Sequence, residues 1–322
     1  MMYFSHGRTA LKFGLKYLDL KPGDSILIPN YICDVVLHPI EEMKIQPYFY
    51  DIMDNMEPDW DKLNKTIDKK VKAILIVHYF GHAQNIERII KFCVQNNLML
   101  IEDNAHGHGG NYNGKLLGTF GDIGFSSLTK IYPINFGGSL FLKNYSRKVN
   151  SNVPLPSYNS RVKKLIKRKI RLIPFIESIY RKSPSYYHPI INNQKIIKDM
   201  LIDNKSLKVL NSININEYKD HRNSIYKFWE YFALNNGLNP VFDEFKISCM
   251  PWVFAAYAPN FEERNKWLDW GYRNNIAVFT WPRLPINIAN EGGEALKRWK
   301  RLICFPIESW MKLDQLKKKI IS

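Results

Sequence analysis

The sequence predicts an α/β protein, a mostly parallel sheet sandwiched by helices with a smaller α+β unit at its C-terminal end. Three observations predict it. Short unbroken apolar runs, SILIP at 25–29, KAILIV at 72–77 and LMLI at 98–101, read as strands buried on both faces. Helical apolar patterns at 6–18, 33–43, 59–67 and 85–95 alternate with them, as parallel sheets require. The run at 98–101 then ends on Glu102-Asp103, as a buried strand does when it emerges at the ligand-binding end of such a sheet.

In chain order, the helix at 6–18 gathers Ala10, Leu11, Leu15 and Leu18 on one side and opens at Gly7. The turn Pro22-Gly23-Asp24 leads into the strand at 25–29, and a further strand is expected at 47–52. Beyond Asp103 comes a glycine-rich passage, a short strand from Ile123, then Ser127, Lys130 and the pair Gly137-Gly138. Residues 146–200 are rich in Lys, Pro, Ser and Tyr and read as a variable basic linker or cap. A long helix is expected at 206–231, including Asp220-His221-Arg222-Asn223. Strand, helix, strand, helix and strand then follow at 250–256, 261–273, 276–280, 292–300 and 302–306, with a basic helix at the end. The tryptophans at 252, 267, 270, 281, 299 and 310 are expected to fill the core or an interface of this part. Two domains result, 1–200 and 201–322.

Composition narrows the function. A chain of 322 residues with 45% hydrophobic content is globular and long enough for one large and one smaller domain. Cys33, Cys93, Cys249 and Cys304 form no CxxC pair, so neither a disulfide framework nor a zinc site is indicated, no metal is expected, and a reducing cytoplasm is the natural setting. No apolar run is long enough to span a bilayer, and the N-terminus lacks a secretory pattern. The net charge of +16 raises nucleic acid or an anionic membrane surface as partners; no nucleic-acid partner is expected, and peripheral contact with an anionic membrane stays open. Much of it sits at 161–173, where basic and aliphatic residues alternate at helical spacing, suiting anionic lipid, a solvated face, or the rim of a site for diphosphates.

The stretch 98–140 carries the chemistry. A lysine 27 residues beyond a strand-terminal aspartate, with a hydroxyl three residues before it, suits a pyridoxal phosphate site. A lysine amine condenses with the cofactor aldehyde only if its ammonium form is destabilised, which makes Lys130 the candidate. The pyridine nitrogen stays protonated only against a carboxylate, for which Asp103 is the candidate. The phosphate needs a helix N-terminus and hydroxyls, which the Gly7-Arg8-Thr9 turn and Ser127 supply.

These residues, with HGRTAL at 6–11, GDSILIPNYICDVVLHPI at 23–40, KAILIVHYFGH at 72–82, IEDNAHGHGG at 101–110, GKLLGTFGDIGFSSLTK at 114–130 and GG at 137–138, resemble the DegT/DnrJ/StrS aminotransferases. The resemblance is strongest over 6–142 and implies the fold-type I pyridoxal phosphate architecture. It also implies Lys130 as the cofactor-bound lysine, Asp103 as the pyridinium partner, His106 near the ring hydroxyl, Ala105 against the ring and Ser127 at the phosphate. The position that often stacks an aromatic on the cofactor is Cys33 here, with Tyr31 or Ile32 as replacements. Lysine at 130, where the dehydratase branch has histidine, favours transamination. The resemblance implies an amino-acid donor, glutamate in most of the family, a nucleotide-linked keto sugar as acceptor, a role in surface polysaccharide or lipopolysaccharide synthesis, and a homodimer. Another pyridoxal phosphate reaction, or a non-catalytic binding protein on the same fold, stays open.

Overall fold

The computed structural model describes residues 1–65, 67–144, 153–155 and 198–321. The basic segment 161–173, and most of the 146–200 stretch, lie outside the described residues.

Among the described residues, seven strands form the main sheet: β1 (Met2–Phe4), β2 (Ser25–Pro29), β3 (Gln46–Tyr50), β4 (Val71–Val77), β5 (Met99–Asp103), β8 (Ile123–Ser126) and β9 (Gly138–Leu142). Their spatial order is β1-β9-β8-β5-β4-β2-β3. Strands β3, β2, β4, β5 and β8 run parallel, whereas β9 pairs antiparallel with both β8 and β1. The chain steps outward from β2 to β3 and then back across β2 to β4, so the winding reverses at the β2–β4 boundary. Ligand crevices lie at such a reversal, at the strand carboxyl ends. Here those ends are Pro29, Val77, Asp103 and Ser126.

The helices over the sheet form where apolar spacing meets good capping. Gly7–Tyr17 buries Ala10, Leu11, Phe13 and Leu15. Ile86–Asn96 starts on Asn85, whose side chain accepts from Arg88 N–H, and stops where Asn97 turns left-handed at φ 51°. Two expected helices are shorter than the pattern suggested. Asp59 caps a single turn, Trp60–Leu63, and the 33–43 stretch begins as a 3-10 turn, Asp34–Val36, before Leu37–Glu42. A small two-stranded ribbon, β6 (Asn111–Tyr112) and β7 (Lys115–Leu116), sits in the glycine-rich passage.

The C-terminal part builds its own antiparallel sheet, β10 (Asn239–Pro240), β11 (Val253–Tyr257) and β12 (Leu302–Pro306), in that order. Strand alternation explains its double role. Val253, Ala255 and Tyr257 of β11, with Leu302 and Cys304 of β12, join the large core that also fills the main sheet. Phe254, Ala256, Ile303 and Phe305 face the other way, into a second core with Trp229, Leu268 and Met311. The strand expected at 276–280 is reduced to one bridge, Phe279 to Cys304. The long helix at 206–231 is two helices, Asn204–Asn211 and Ile215–Asn235, each started by an Asp203 or Asn214 side chain that caps it. None of the described helices is long and apolar enough to cross a membrane.

Candidate active site

Strand periodicity hands the two acids at the end of β5 to opposite tasks. Glu102 is fully buried and accepts from the amides of Gly118 (3.0 Å), Phe120 (2.6 Å) and Gly121 (2.6 Å) and from His78 Nε2 (2.9 Å). Burial alone would raise its pKa, but the His78 bond and these amides hold it below the usual range. Glu102 is thus structural, tying the glycine-rich passage to the sheet. Asp103 lies opposite Val77 of β4 and Phe125 of β8. Its Oδ1 accepts the Ala105 N–H at 2.9 Å. Burial lifts its pKa to about 6, against the opposing pull of Lys130 and of the Ala105 amide.

Lys130 sits in the one-turn helix Leu128–Ile131 that follows β8. Its Nζ lies 4.4 Å from the centroid of the Trp252 ring and 5.8 Å from that of Trp281. Burial lowers its pKa, and the charges of Cys33 and Asp103 oppose that fall. This is the destabilised ammonium that a nucleophilic lysine needs.

His106 is 2% exposed and close to both indoles, at ring-centroid distances of 4.5 Å to Trp252 and 4.6 Å to Trp281. Its Nδ1 accepts the Phe80 N–H at 3.2 Å, so a neutral ring carries its proton on Nε2. Burial, with Lys130 adding to it, pushes its pKa well down, and the neutral form follows. Ala105 is buried beside it in sequence.

At the other end of the crevice the helix Gly7–Tyr17 begins without a capping side chain. A Cβ on Gly7 would stand 3.2 Å from Ser126 O and 3.5 Å from Ser127 Cβ, and one on Gly138 would stand 2.2 Å from His6 O. The two glycines therefore let the helix start press against the ends of β8 and β9. Ser127 precedes Leu128 there with its side chain engaged in no cap bond, and Thr9 Oγ1 is buried without a hydrogen-bond partner. An uncapped helix start, an adjacent hydroxyl and an orphaned buried hydroxyl fit a phosphate.

Arg8 belongs to this turn, but its Nη1 runs to His38 Nδ1 at 3.3 Å rather than across to Ser127. Of the residues considered for the cofactor ring, Cys33 shares the electrostatic environment of Lys130. Tyr31 is placed behind the site: it is 0% exposed, its hydroxyl donates to Trp281 O, and its own carbonyl accepts from Tyr79 at 2.7 Å. Tyr31 thereby props the segment carrying Trp281.

Sequence reasoning missed Trp252 and Trp281 as site residues, having given them to the core, and missed the clamp that holds Trp252. Arg222, 1% exposed, donates from Nε to Pro251 O (2.8 Å), from Nη2 to Trp252 O (2.9 Å) and from Nη1 to Ile131 O (3.3 Å). Tyr218 donates to the same Ile131 carbonyl at 2.8 Å. The residue after Lys130 and the residue beneath its Nζ are thus fixed by one guanidinium. The Asp220-His221-Arg222-Asn223 cluster was a signal in the sequence, but nothing in it names these acceptors.

Residues 2–144 match the model of the DegT/DnrJ/EryC1/StrS aminotransferase family. The chain is 35% identical to GDP-perosamine synthase of Escherichia coli O157:H7 over 121 residues, 37% of this chain and 33% of that protein. It is 31% identical to dTDP-4-dehydro-2,3,6-trideoxy-D-glucose 4-aminotransferase of Saccharopolyspora spinosa over 144 residues, 44% of this chain and 37% of that one. The matched region thus spans about a third of these relatives. Spr1654 of Streptococcus pneumoniae, named a sugar aminotransferase and solved in its PLP-form, shares the fold with a TM-score of 0.70 at 17% identity, over 98% of this chain and 84% of that one. The segment that carries Asp103, His106 and Lys130, residues 2–144, is thus similar to the DegT/DnrJ/EryC1/StrS aminotransferases, and the whole described chain shares the fold of the solved neighbours.

Proposed function

We propose that the protein is a pyridoxal phosphate-dependent aminotransferase that moves an amino group from an amino acid, glutamate by preference, to a nucleotide-linked keto sugar. The observation that carries this reading is the convergence of Lys130, Asp103 and His106 at the ends of β5 and β8, with Lys130 and Asp103 coupled electrostatically. Relatives named for amino-sugar synthesis support the substrate class.

Lys130, Asp103, His106, Ala105, Ser127 and the first-turn amides of Gly7, Arg8 and Thr9 would hold the cofactor. When bound, it supplies an electron sink at the donor's α-carbon. Lys130 Nζ, its charge weakened by burial, would take up the proton from the donor's α-carbon and hold it at Nζ for return, acting as base and then acid. An ionised Asp103 would keep the ring nitrogen protonated. His106, neutral with its proton on Nε2, is a hydrogen-bond donor suited to the ring hydroxyl. Trp252 and Trp281 shield Nζ from water, which strengthens each of these charge effects.

The reading extends to a large cofactor-binding domain up to about residue 200 and a small one after it, to a cytoplasmic homodimer, and to amino-sugar supply for surface polysaccharide or lipopolysaccharide. The basic excess suits an acceptor carrying a diphosphate. The test is a panel of nucleotide keto sugars with glutamate. It should give 2-oxoglutarate together with a product of amino-sugar mass, and turnover of free sugars should be far poorer. Added salt should raise KM for the nucleotide sugar. Equal efficiency on a free sugar or a small uncharged aldehyde would remove the nucleotide-sugar reading.

A further inference from the structure

Away from the Lys130–Asp103 axis, two arginines converge on one turn just beyond the carboxyl end of β2. Arg8 Nη1 lies 3.3 Å from His38 Nδ1, and Arg283 Nη2 lies 3.5 Å from Asp34 Oδ1. The Asp34 N–H also donates to Arg283 O at 2.9 Å, so the backbone fixes the second pair. Asp34 and His38 are four residues apart across the turn Asp34–Val36 and the start of Leu37–Glu42, a spacing that sets them on one side. The guanidinium groups arrive from two directions, Arg8 from the first turn of Gly7–Tyr17 and Arg283 from the loop whose Trp281 carbonyl is held by Tyr31.

Arg283 meets Asp34 at 3.5 Å, long for a charge-assisted bond, and Asp34 also acts electrostatically on Arg8. Arg8 has a histidine nitrogen for its hydrogen-bond partner where a carboxylate would be expected. Arg222 shows the contrast, since carbonyls take up all three of its nitrogens. Burial lowers the Arg8 pKa, opposed by Cys33 and Asp34 and reinforced by Arg283, as for cations held close together. The arginine Arg283 is about one-third exposed, open to a ligand. Cys33, next to Asp34, feels the charge of both Lys130 and Arg283, so the turn borders the reacting amine.

We infer that Arg8 and Arg283 form a two-arginine seat for an oxyanion of the substrate, a carboxylate or a phosphate, beside Lys130 and separate from the phosphate seat at Gly7 and Ser127. The name of that substrate rests on the proposed aminotransfer; the seat itself rests on the arginines. Planar guanidinium groups suit both oxyanions, because each can present two parallel N–H donors. The oxyanion has two sources, the amino donor's carboxylate and the acceptor's diphosphate.

Calorimetric titration of the cofactor-loaded protein with glutarate and, separately, with thymidine diphosphate distinguishes them, using wild type, Arg8→Gln, Arg283→Gln and Arg283→Lys. At low salt, at least one probe should bind both glutamine variants about tenfold or more weakly, with Arg283→Lys intermediate. Loss of glutarate assigns the seat to the donor, loss of the diphosphate to the acceptor, and loss of both to each in turn. Both probes binding both glutamine variants within about twofold of wild type would overturn the inference, as would failure of both probes to bind wild type at millimolar concentration. A circular dichroism melt shows whether each variant is folded, and Arg283→Lys gives the answer if a glutamine variant is not. Cofactor absorbance in the same samples separates the two ideas: probe loss without a cofactor band would leave the seat standing and sink the aminotransfer reading.

Discussion

Replacing Arg222 by methionine should destabilise the protein and loosen its site together. The substitution keeps the length and apolar stem of the side chain and deletes donors at 2.8, 2.9 and 3.3 Å to the carbonyls of Pro251, Trp252 and Ile131. Ile131 O retains the Tyr218 hydroxyl at 2.8 Å, so the loss falls mainly on the Pro251 and Trp252 carbonyls. Leaving a buried acceptor short of its donor costs roughly 1–3 kcal/mol. Two such losses plus the weaker third give about 3–5 kcal/mol, partly offset because the guanidinium no longer has to be buried. For a chain of this size that is a drop of roughly 4–7 °C in Tm. The same change frees Trp252 from its place 4.4 Å from Lys130 Nζ, so kcat should fall by more than KM rises. Scanning calorimetry of the loaded protein and steady-state kinetics read the two effects. A Tm within about 2 °C of wild type would refute the claim that this guanidinium is a clamp.

Other expectations follow from the same geometry. Asp103→Asn should keep the cofactor bound yet lose roughly two or more decades of rate, because an amide cannot hold the pyridinium proton; near-normal kcat would contradict the role. Cofactor affinity should fall as pH drops through about 6, where Asp103 takes up a proton, and an affinity flat from pH 8 to about 5 would argue against it. The cofactor-free protein should show the opposite trend in stability: the raised folded-state pKa of Asp103 contributes stability below its unfolded value near 3.8, and this is lost as pH rises through about 6. Denaturant titrations should show that slope removed in Asp103→Asn. Light scattering should find a homodimer, and a fully active monomer near 37.9 kDa would remove that expectation.

The sheet was legible because burial on both faces leaves a plain mark: the apolar runs at β2, β4 and β5 are strands within two residues of their expected limits. The reversal at β2 and β4 and the antiparallel turn of β9 were not, since strand order depends on pairing between distant segments. Asp103 and Lys130 stood out as candidates because a fixed spacing and the local residues carry them. Trp252, Trp281, Arg222 and Arg283 reach the same place from the far end of the chain, and no local pattern distinguishes a tryptophan over a lysine from one in a core. The strand expected at 276–280 failed for a local reason. Pro282 and Pro285 lack N–H donors just beyond Phe279, and the segment keeps a single bridge to Cys304.

The measurement that tests the central claim most directly is borohydride reduction of the protein loaded with pyridoxal phosphate, followed by peptide mass mapping. The pyridoxyl group should be found on Lys130, and Lys130→Ala should neither retain it nor turn over. A pyridoxyl group on another lysine, or none on any, would contradict the assignment of Lys130 and with it the proposed reaction.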